Sequence, residues 1–391
     1  MFVSNLACMS ETAQPGTALR VLMVTPLYLP SIGGIERGVA EVTRRLAAAE
    51  DVTVRIVTTD RGGALPALER DGAVEVRRVP AYPRRADWMF APGLPAAMAE
   101  GEWDIVHVQS YHTFVAPTAM ATAARRATPY VLTFHGGGHS STVRHEARVL
   151  QRLLMRPLLK RAGALIATAQ FEIDEYAPQL RLPASKFRLI PSGVDLPEVP
   201  PGDQTEPREG GGPLVASIGR LVRYKGHQRV IAAFAHFVRQ EPDARLLILG
   251  SGPYEGELRR LANSLGIAGL VEIVAVGPGV EMARRLHQVD LVVLLSEFET
   301  HPVAALEAIG LHRPLLVAEG SGLGELAARG LARAIALDAS PTATADAMLL
   351  ELREPTERGA VALPTWDDCA AELLALYREV VGRARKTPIG A

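Results

Sequence analysis

The feature that most constrains this chain is an alternation repeated along its length. Short apolar runs, each long enough for one buried strand, alternate with segments of helical periodicity. In the first half such runs fall at 20–25, 52–58, 74–79, 105–108, 130–134, 164–167 and 187–190. After the first of them, Val39, Val42, Leu46 and Ala49 recur at helical spacing. The second half repeats the pattern with runs at 214–218, 245–249, 271–276, 291–295, 314–317 and 334–337, and helical stretches at 228–240, 255–265, 280–288 and 303–309. Strand–helix alternation of this kind predicts parallel, doubly wound sheets. Between the halves, residues 196–213 hold five prolines and almost no apolar side chains, the composition of a linker. A chain of 391 residues can fill two cores. The expectation is an α/β protein of two similar domains, 19–195 and 214–365, with a ligand in the cleft between them. Residues 366–391 add an amphipathic helix and a tail, and residues 1–18 a flexible extension.

Charge narrows the partners. The net charge of −1 gives no whole-protein field of the kind nucleic acid demands, so no nucleic-acid partner is expected. The first 195 residues carry 22 Lys+Arg against 18 Asp+Glu, a balance of +4, and the remainder 20 against 25, a balance of −5. The basic half is expected to meet something anionic. Cys8 and Cys369 belong to no metal-ligand spacing and suit a reducing, cytoplasmic setting. No apolar run approaches the roughly 18 residues that span a bilayer, and the N-terminus has no secretory pattern. Arg144, Arg148, Arg152, Arg156 and Lys160 recur at i, i+4 beside a leucine face. A solvated face is the plain reading of 144–161, and peripheral contact with an anionic membrane face is the functional one.

Candidate chemistry lies where strands run out. Gly33-Gly34 follows the first strand and lets a ligand approach the backbone at a helix N-terminus. His135, backed by Gly136-Gly137-Gly138 and His139, ends the run 130–134 and could present an imidazole to a substrate. His107, inside a strand, reads as a satisfied core histidine. Gly219-Arg220 and Lys225-Gly226 bracket a turn ahead of a helix, where a guanidinium fork and an ammonium would clamp a diphosphate. Gly250-Ser251-Gly252-Pro253 follows the next strand and is expected near the same ligand. The run 291–295 leads into Ser296-Glu-Phe-Glu299-Thr-His-Pro-Val303 and on to Glu307. With Glu299 in a loop and Glu307 in a helix, both carboxylates can face one ligand at the carboxyl edge of the sheet.

In this order and at these spacings the motifs resemble a retaining nucleotide-sugar glycosyltransferase of the large family 4, with the two-domain GT-B fold. The resemblance covers nearly all of 20–383 and rests also on Asp104-Ile-Val-His-Val and Ile190-Pro-Ser-Gly-Val-Asp195. It implies two Rossmann-like domains facing across a cleft, the first on the acceptor side and the second on the donor side, with the last helix crossing back to the first. Arg220 and Lys225 would hold the diphosphate of a nucleoside-diphosphate sugar (UDP among the bases) and stabilise the leaving group. No cofactor and no metal would then be needed, because two cations replace it electrostatically. Glu307 would take the ribose hydroxyls and Glu299 the sugar hydroxyls. His135 would lie near the reacting sugar, with Gly33, Gly34, Gly219, Gly252, Thr300, His301 and Val303 completing the donor site. The acceptor would be an alcohol. A sugar-nucleotide epimerase shares the fold, and a non-catalytic nucleotide-sugar-binding protein would keep it. The chain departs from the family at Thr300-His301-Pro302, where many members carry Gly-Phe-Gly, and Pro302 removes one backbone donor.

Overall fold

The computed structural model of the chain describes residues 18–31, 33–84, 89–136, 142–194, 211–277, 279–359 and 361–386, with backbone alone for 142–150 and 152. The expected extension 1–18 lies outside these residues but for Ala18, and the expected linker 196–213 but for its last three.

The first unit runs β1 (Leu19–Val24), α1 (Gly34–Ala47), β2 (Val52–Asp60), β3 (Leu68–Asp71), β4 (Val74–Pro80), α2 (Leu94–Met98), β5 (Ile105–Gln109), α3 (Val115–Arg125), β6 (Tyr130–Thr133), α4 (Thr142–Arg161), β7 (Ala164–Ala167), α5 (Gln170–Leu180) and β8 (Phe187–Leu189). Its sheet has the order β3-β4-β2-β1-β5-β6-β7-β8 and is parallel except for β3. The second runs β9 (Leu214–Ile218), α6 (His227–Phe237), β10 (Arg245–Leu249), α7 (Glu255–Ser264), β11 (Val271–Val274), α8 (Val280–His287), β12 (Leu291–Leu294), α9 (Val303–Gly310), β13 (Leu315–Ala318), α10 (Ser321–Ala328), β14 (Arg333–Ile335), α11 (Pro341–Arg353) and α12 (Trp366–Lys386). Its parallel sheet has the order β11-β10-β9-β12-β13-β14.

Burial explains the pattern. Every residue of β5 and of β12 is buried, as strands covered by helices on both faces must be. In each unit the strand order reverses beside the first strand, so the loops after β1, β5 and β6, and after β9, β10 and β12, gather at carboxyl edges. The antiparallel β3 is half exposed and was not legible as an apolar run.

Helix α12 returns to the first unit. Trp366, Leu373, Tyr377, Val380 and Val381 are buried in one core cluster with Val21, Ile56 and Ile105. Trp366 packs on Gly38, where an added Cβ would sit 3.1 Å from the indole. Arg45 pairs with Asp367 at 2.7 Å and Arg378 with Asp51 at 2.7 Å, both exposed enough that packing, not charge, holds the helix. A second seam joins the units near the cleft. Phe171 and Phe298 meet edge to face at 5.6 Å, and the Phe171 amide donates to Glu325 Oε2 at 3.2 Å.

Helix α4 is formed over the expected basic stripe, but its side chains do not make one uniform face. Arg144, Arg148 and Arg152 lie outside the described side chains. Arg156 is committed to the protein, with Nε donating to the Leu180 carbonyl at 2.9 Å. The leucines also divide: Leu159 is buried, while Leu153 and Leu154 are 58% and 70% exposed. Among the described residues no helix is long and apolar enough to cross a membrane.

Candidate active site

A cleft of about 770 Å³ opens between the carboxyl edges of the two sheets. From the first unit come Gly33, Gly34, Arg37, Gln109, His112, His135 and Gly136. From the second come Gly219, Arg220, Lys225, Glu299, Thr300, His301, Val303 and Glu307. Of the residues expected here from sequence, Gly252 is the exception. Gly250 and Ser251 line the cleft, whereas Gly252 is pressed on the backbone of Leu221, whose oxygen lies 2.5 Å from where a Cβ would stand. Its glycine serves chain packing, with φ of +157°.

The cationic corner is built by the turn after β9. Arg223–Lys225 form one 3₁₀ turn and Gly226, at φ of +77°, starts α6. Arg220 Nη2 donates to the Tyr224 hydroxyl at 2.9 Å, which holds the guanidinium at the cleft mouth. Lys225 Nζ donates to Glu299 Oε1. The same oxygen accepts from Ser296 Oγ at 2.9 Å, and the Glu299 amide donates to Ser321 Oγ at 3.0 Å. An acid and a base are thus held against each other with little exposure at the cleft.

Glu307 sits on the buried face of α9 and is 8% exposed. Burial pushes its carboxyl up to about 7, and Arg37 across the cleft pulls the other way. Glu36 is likewise raised by burial, with Arg220 opposing.

On the first unit, His135 follows β6 with φ of +45°, a left-handed backbone that a side chain adopts only where surroundings impose it. Glu172, fully buried, anchors the residue that follows: its carboxylate accepts from the Gly136 amide at 2.9 Å and from the amide and hydroxyl of Thr168 at 2.7 and 2.9 Å. His135 Nε2 is 2.6 Å from Gln109 Oε1. Burial, with His301 adding to it, holds the His135 imidazole down to about 4, and burial does the same to His301. Thr300 abuts Gly136 across the seam. His107 is buried and hydrogen-bonded, as expected of a core residue, and it also floors the cleft. Arg37, Gln109, Glu172 and Ser321 were not singled out in the sequence. Gln109 ends a buried strand, the one signal that could have marked it.

Comparison with known proteins follows this geometry. The description Glycosyltransferase Family 4 matches residues 32–198, and Glycosyl transferases group 1 matches 203–361. The chain belongs to glycosyltransferase family 4. Similar proteins include D-inositol 3-phosphate glycosyltransferase 1 of Catenulispora acidiphila, 26% identical over 94% of this chain and 96% of that one. GDP-mannose:cellobiosyl-diphosphopolyprenol alpha-mannosyltransferase of Xanthomonas oryzae is 28% identical over 74% and 76%. In structure, sucrose-phosphate synthase of Thermosynechococcus elongatus aligns with a TM-score of 0.69 at 19% identity, over 94% of this chain and 98% of that one. Anabaena HepE in complex with UDP-glucose gives 0.68 at 16%, over 94% and 100%. The glycosyltransferase has the GT-B fold, two parallel-sheet domains with the last helix on the first, and takes its sugar from a nucleotide sugar.

Proposed function

We propose that this glycosyltransferase moves a hexosyl unit from a nucleoside-diphosphate sugar to an alcohol acceptor, with retention of anomeric configuration and without a metal. The observation that carries the reading is the Lys225–Glu299 pair beside Arg220 and facing His135 across the cleft. In the proposed reaction the anomeric C–O bond to the β-phosphate breaks, and the nucleoside diphosphate leaves with its charge on Arg220 and Lys225. The acceptor hydroxyl attacks from the face being vacated and passes its proton to the departing phosphate oxygen. Glu299, released from Lys225, orients the sugar hydroxyls, and ionised Glu307 accepts from the ribose. His135 stays neutral and serves as a hydrogen-bond partner to the sugar. Gly33, Gly34, Gly219, Thr300, His301 and Val303 supply the surrounding wall.

The Anabaena complex with UDP-glucose makes a UDP-sugar the first donor to test. The similar proteins from Catenulispora and Xanthomonas, by their names, act on an inositol phosphate and a diphosphopolyprenol-linked sugar. Both supply alcohols, which supports an alcohol acceptor here. Leu153, Leu154 and Lys160, all exposed on α4, support contact with an anionic membrane face, which cosedimentation with anionic vesicles tests.

The deciding experiment is a thermal-shift panel of UDP-, GDP-, ADP- and dTDP-sugars, followed by NMR of the product. A stabilising donor at 100 times its Kd adds about 2.7 kcal/mol to stability. Stabilisation by one donor and a product of unchanged anomeric configuration are expected. An inverted product, or no stabilisation by any of them, would overturn the reading.

A further inference from the structure

A line of buried polar side chains runs beneath the cleft from α12 to His135. The Tyr377 hydroxyl lies 2.5 Å from His107 Nδ1. His107 Nε2 lies 2.7 Å from Thr133 Oγ1, and Gln109 Nε2 lies over the ring, 3.1 Å from its Nε2 and 3.4 Å from its Nδ1. Gln109 Oε1 lies 2.6 Å from His135 Nε2. Tyr377 and His107 are fully buried, and Gln109 is 5% exposed. Burial in the middle of a sheet demands that each polar atom find a partner, and the network is closed in this respect.

The carboxamide has two ends, and they are not equivalent. Its nitrogen faces His107 and lies 2.9 Å from Met23 Sδ, a weak acceptor that donates nothing. Its oxygen faces His135. Turning the amide over would set the oxygen against the sulfur with no hydrogen between them. With the oxygen accepting, His135 must carry its hydrogen on Nε2. Burial keeps both rings neutral near pH 7, lowering His107 to about 3 and His135 to about 4, so each has one hydrogen to place.

The geometry points to Gln109 as a positioning residue of the transfer site: its carboxamide oxygen, oriented by Met23, holds the His135 ring hydrogen on Nε2, so that His135 offers the cleft the lone pair of Nδ1. Among the described residues no hydrogen bond reaches that Nδ1. It is therefore available to accept from a hydroxyl of whatever occupies the cleft. The inference rests on the proposed function for His135's partner and not for the tautomer itself.

The test is long-range ¹H–¹⁵N correlation spectroscopy of the full, ligand-free chain labelled in histidine, with His135→Asn to assign the signal. The expected wild-type result is His135 protonated on Nε2. Gln109→Glu keeps an acceptor at that position and should preserve the tautomer. Gln109→Met removes it and should give a mixture or the Nδ1–H form. With UDP-glucose, Gln109→Met should lose about tenfold in kcat with KM changed less than about twofold, the equivalent of one hydrogen bond. Gln109→Glu should recover most of that loss. His135 protonated on Nδ1 in the wild type overturns the proposal, as does Gln109→Met with tautomer and kcat both unchanged. Should Gln109→Met fail to fold, the wild-type and Gln109→Glu spectra decide. A wild type that ignores UDP-glucose would count against the donor reading and leave the tautomer result standing.

Discussion

Replacing Glu307 by Gln is expected to make the folded chain more stable at pH 8 while weakening its hold on a sugar nucleotide. The carboxyl is 8% exposed and burial raises it from an ordinary 4.5 to about 7. The folded state therefore holds this proton more tightly than the unfolded state. Stability falls as pH rises from about 4.5 and the full penalty is present above about 7. A difference of about 2.5 units corresponds to about 3 kcal/mol at pH 8, shrinking below about 1 kcal/mol at pH 5. Gln resembles the protonated acid and escapes the penalty, so the gain should appear at pH 8 and largely vanish at pH 5. For a domain of this size that is a rise in Tm of roughly 6–12 °C. Comparing the two pH values cancels any cost of fitting the carboxamide. The same substitution removes an ionised acceptor and should cost about 1.5–3 kcal/mol of UDP-glucose affinity by calorimetry. Wild-type affinity should rise about tenfold from pH 6 to pH 8, since ligand hydroxyls donate to the ionised form, and the variant should lose that slope. Equal Tm differences at pH 5 and pH 8 would refute the argument.

Lys225→Ala should reduce turnover of UDP-glucose by roughly 10²–10³-fold while the far-ultraviolet circular dichroism stays unchanged, as for loss of one charge stabiliser of a leaving group. Gly226→Ala should disorder the same corner, because a Cβ at φ of +77° would run into the rigid Leu295 carbonyl. By contrast Gly33→Ala, whose Cβ meets only the free end of Glu36, should leave Tm within about 2 °C, read by calorimetry. Turnover should be unaffected by millimolar chelator, and activity lost to EDTA and restored by a divalent ion would remove the two-cation account. His301→Phe should gain about 1 kcal/mol in urea unfolding, because it deletes a buried Nε2 without a hydrogen-bond partner among the described residues, and should weaken UDP-glucose binding if that nitrogen faces the sugar.

The strands were legible because a strand covered on both faces leaves a continuous apolar run, as Leu291–Leu294 does. Elements that do not bury such a run escaped. Strand β3, Leu-Glu-Arg-Asp, hangs on the sheet by one antiparallel edge and by the turn at Gly72. Helix α10 begins Ser-Gly-Leu-Gly, a composition that reads as loop, yet it is held at the seam by the Gly322 amide donating to the Glu299 carbonyl at 2.8 Å. Its place depends on a partner 23 residues away in sequence, which no local pattern records.

The site divides along the same line. Arg220, Lys225 and Glu299 stand in loops that follow strands, and Glu307 on the helix after the last of them, where residue type and position together carry a signal. Gln109 and Glu172 act on their neighbours through hydrogen bonds alone, and in sequence each is an ordinary polar residue beside an apolar run. The departure at 300–302 shows how much a contact can alter a local reading. By residue type, Pro302 is a lost amide donor. In the fold its carbonyl accepts from Leu306 at 3.1 Å and so starts α9, and its ring stacks over Gly322. Thr300 presses on Gly136 and His301 lies beside His135, both of the other unit. The segment is therefore wall to the cleft and contact between the domains at once. A substitution there changes the shape presented to the sugar and the closeness of the two halves together, so variants at 300–302 should be scored for donor choice and for domain seam in the same experiment.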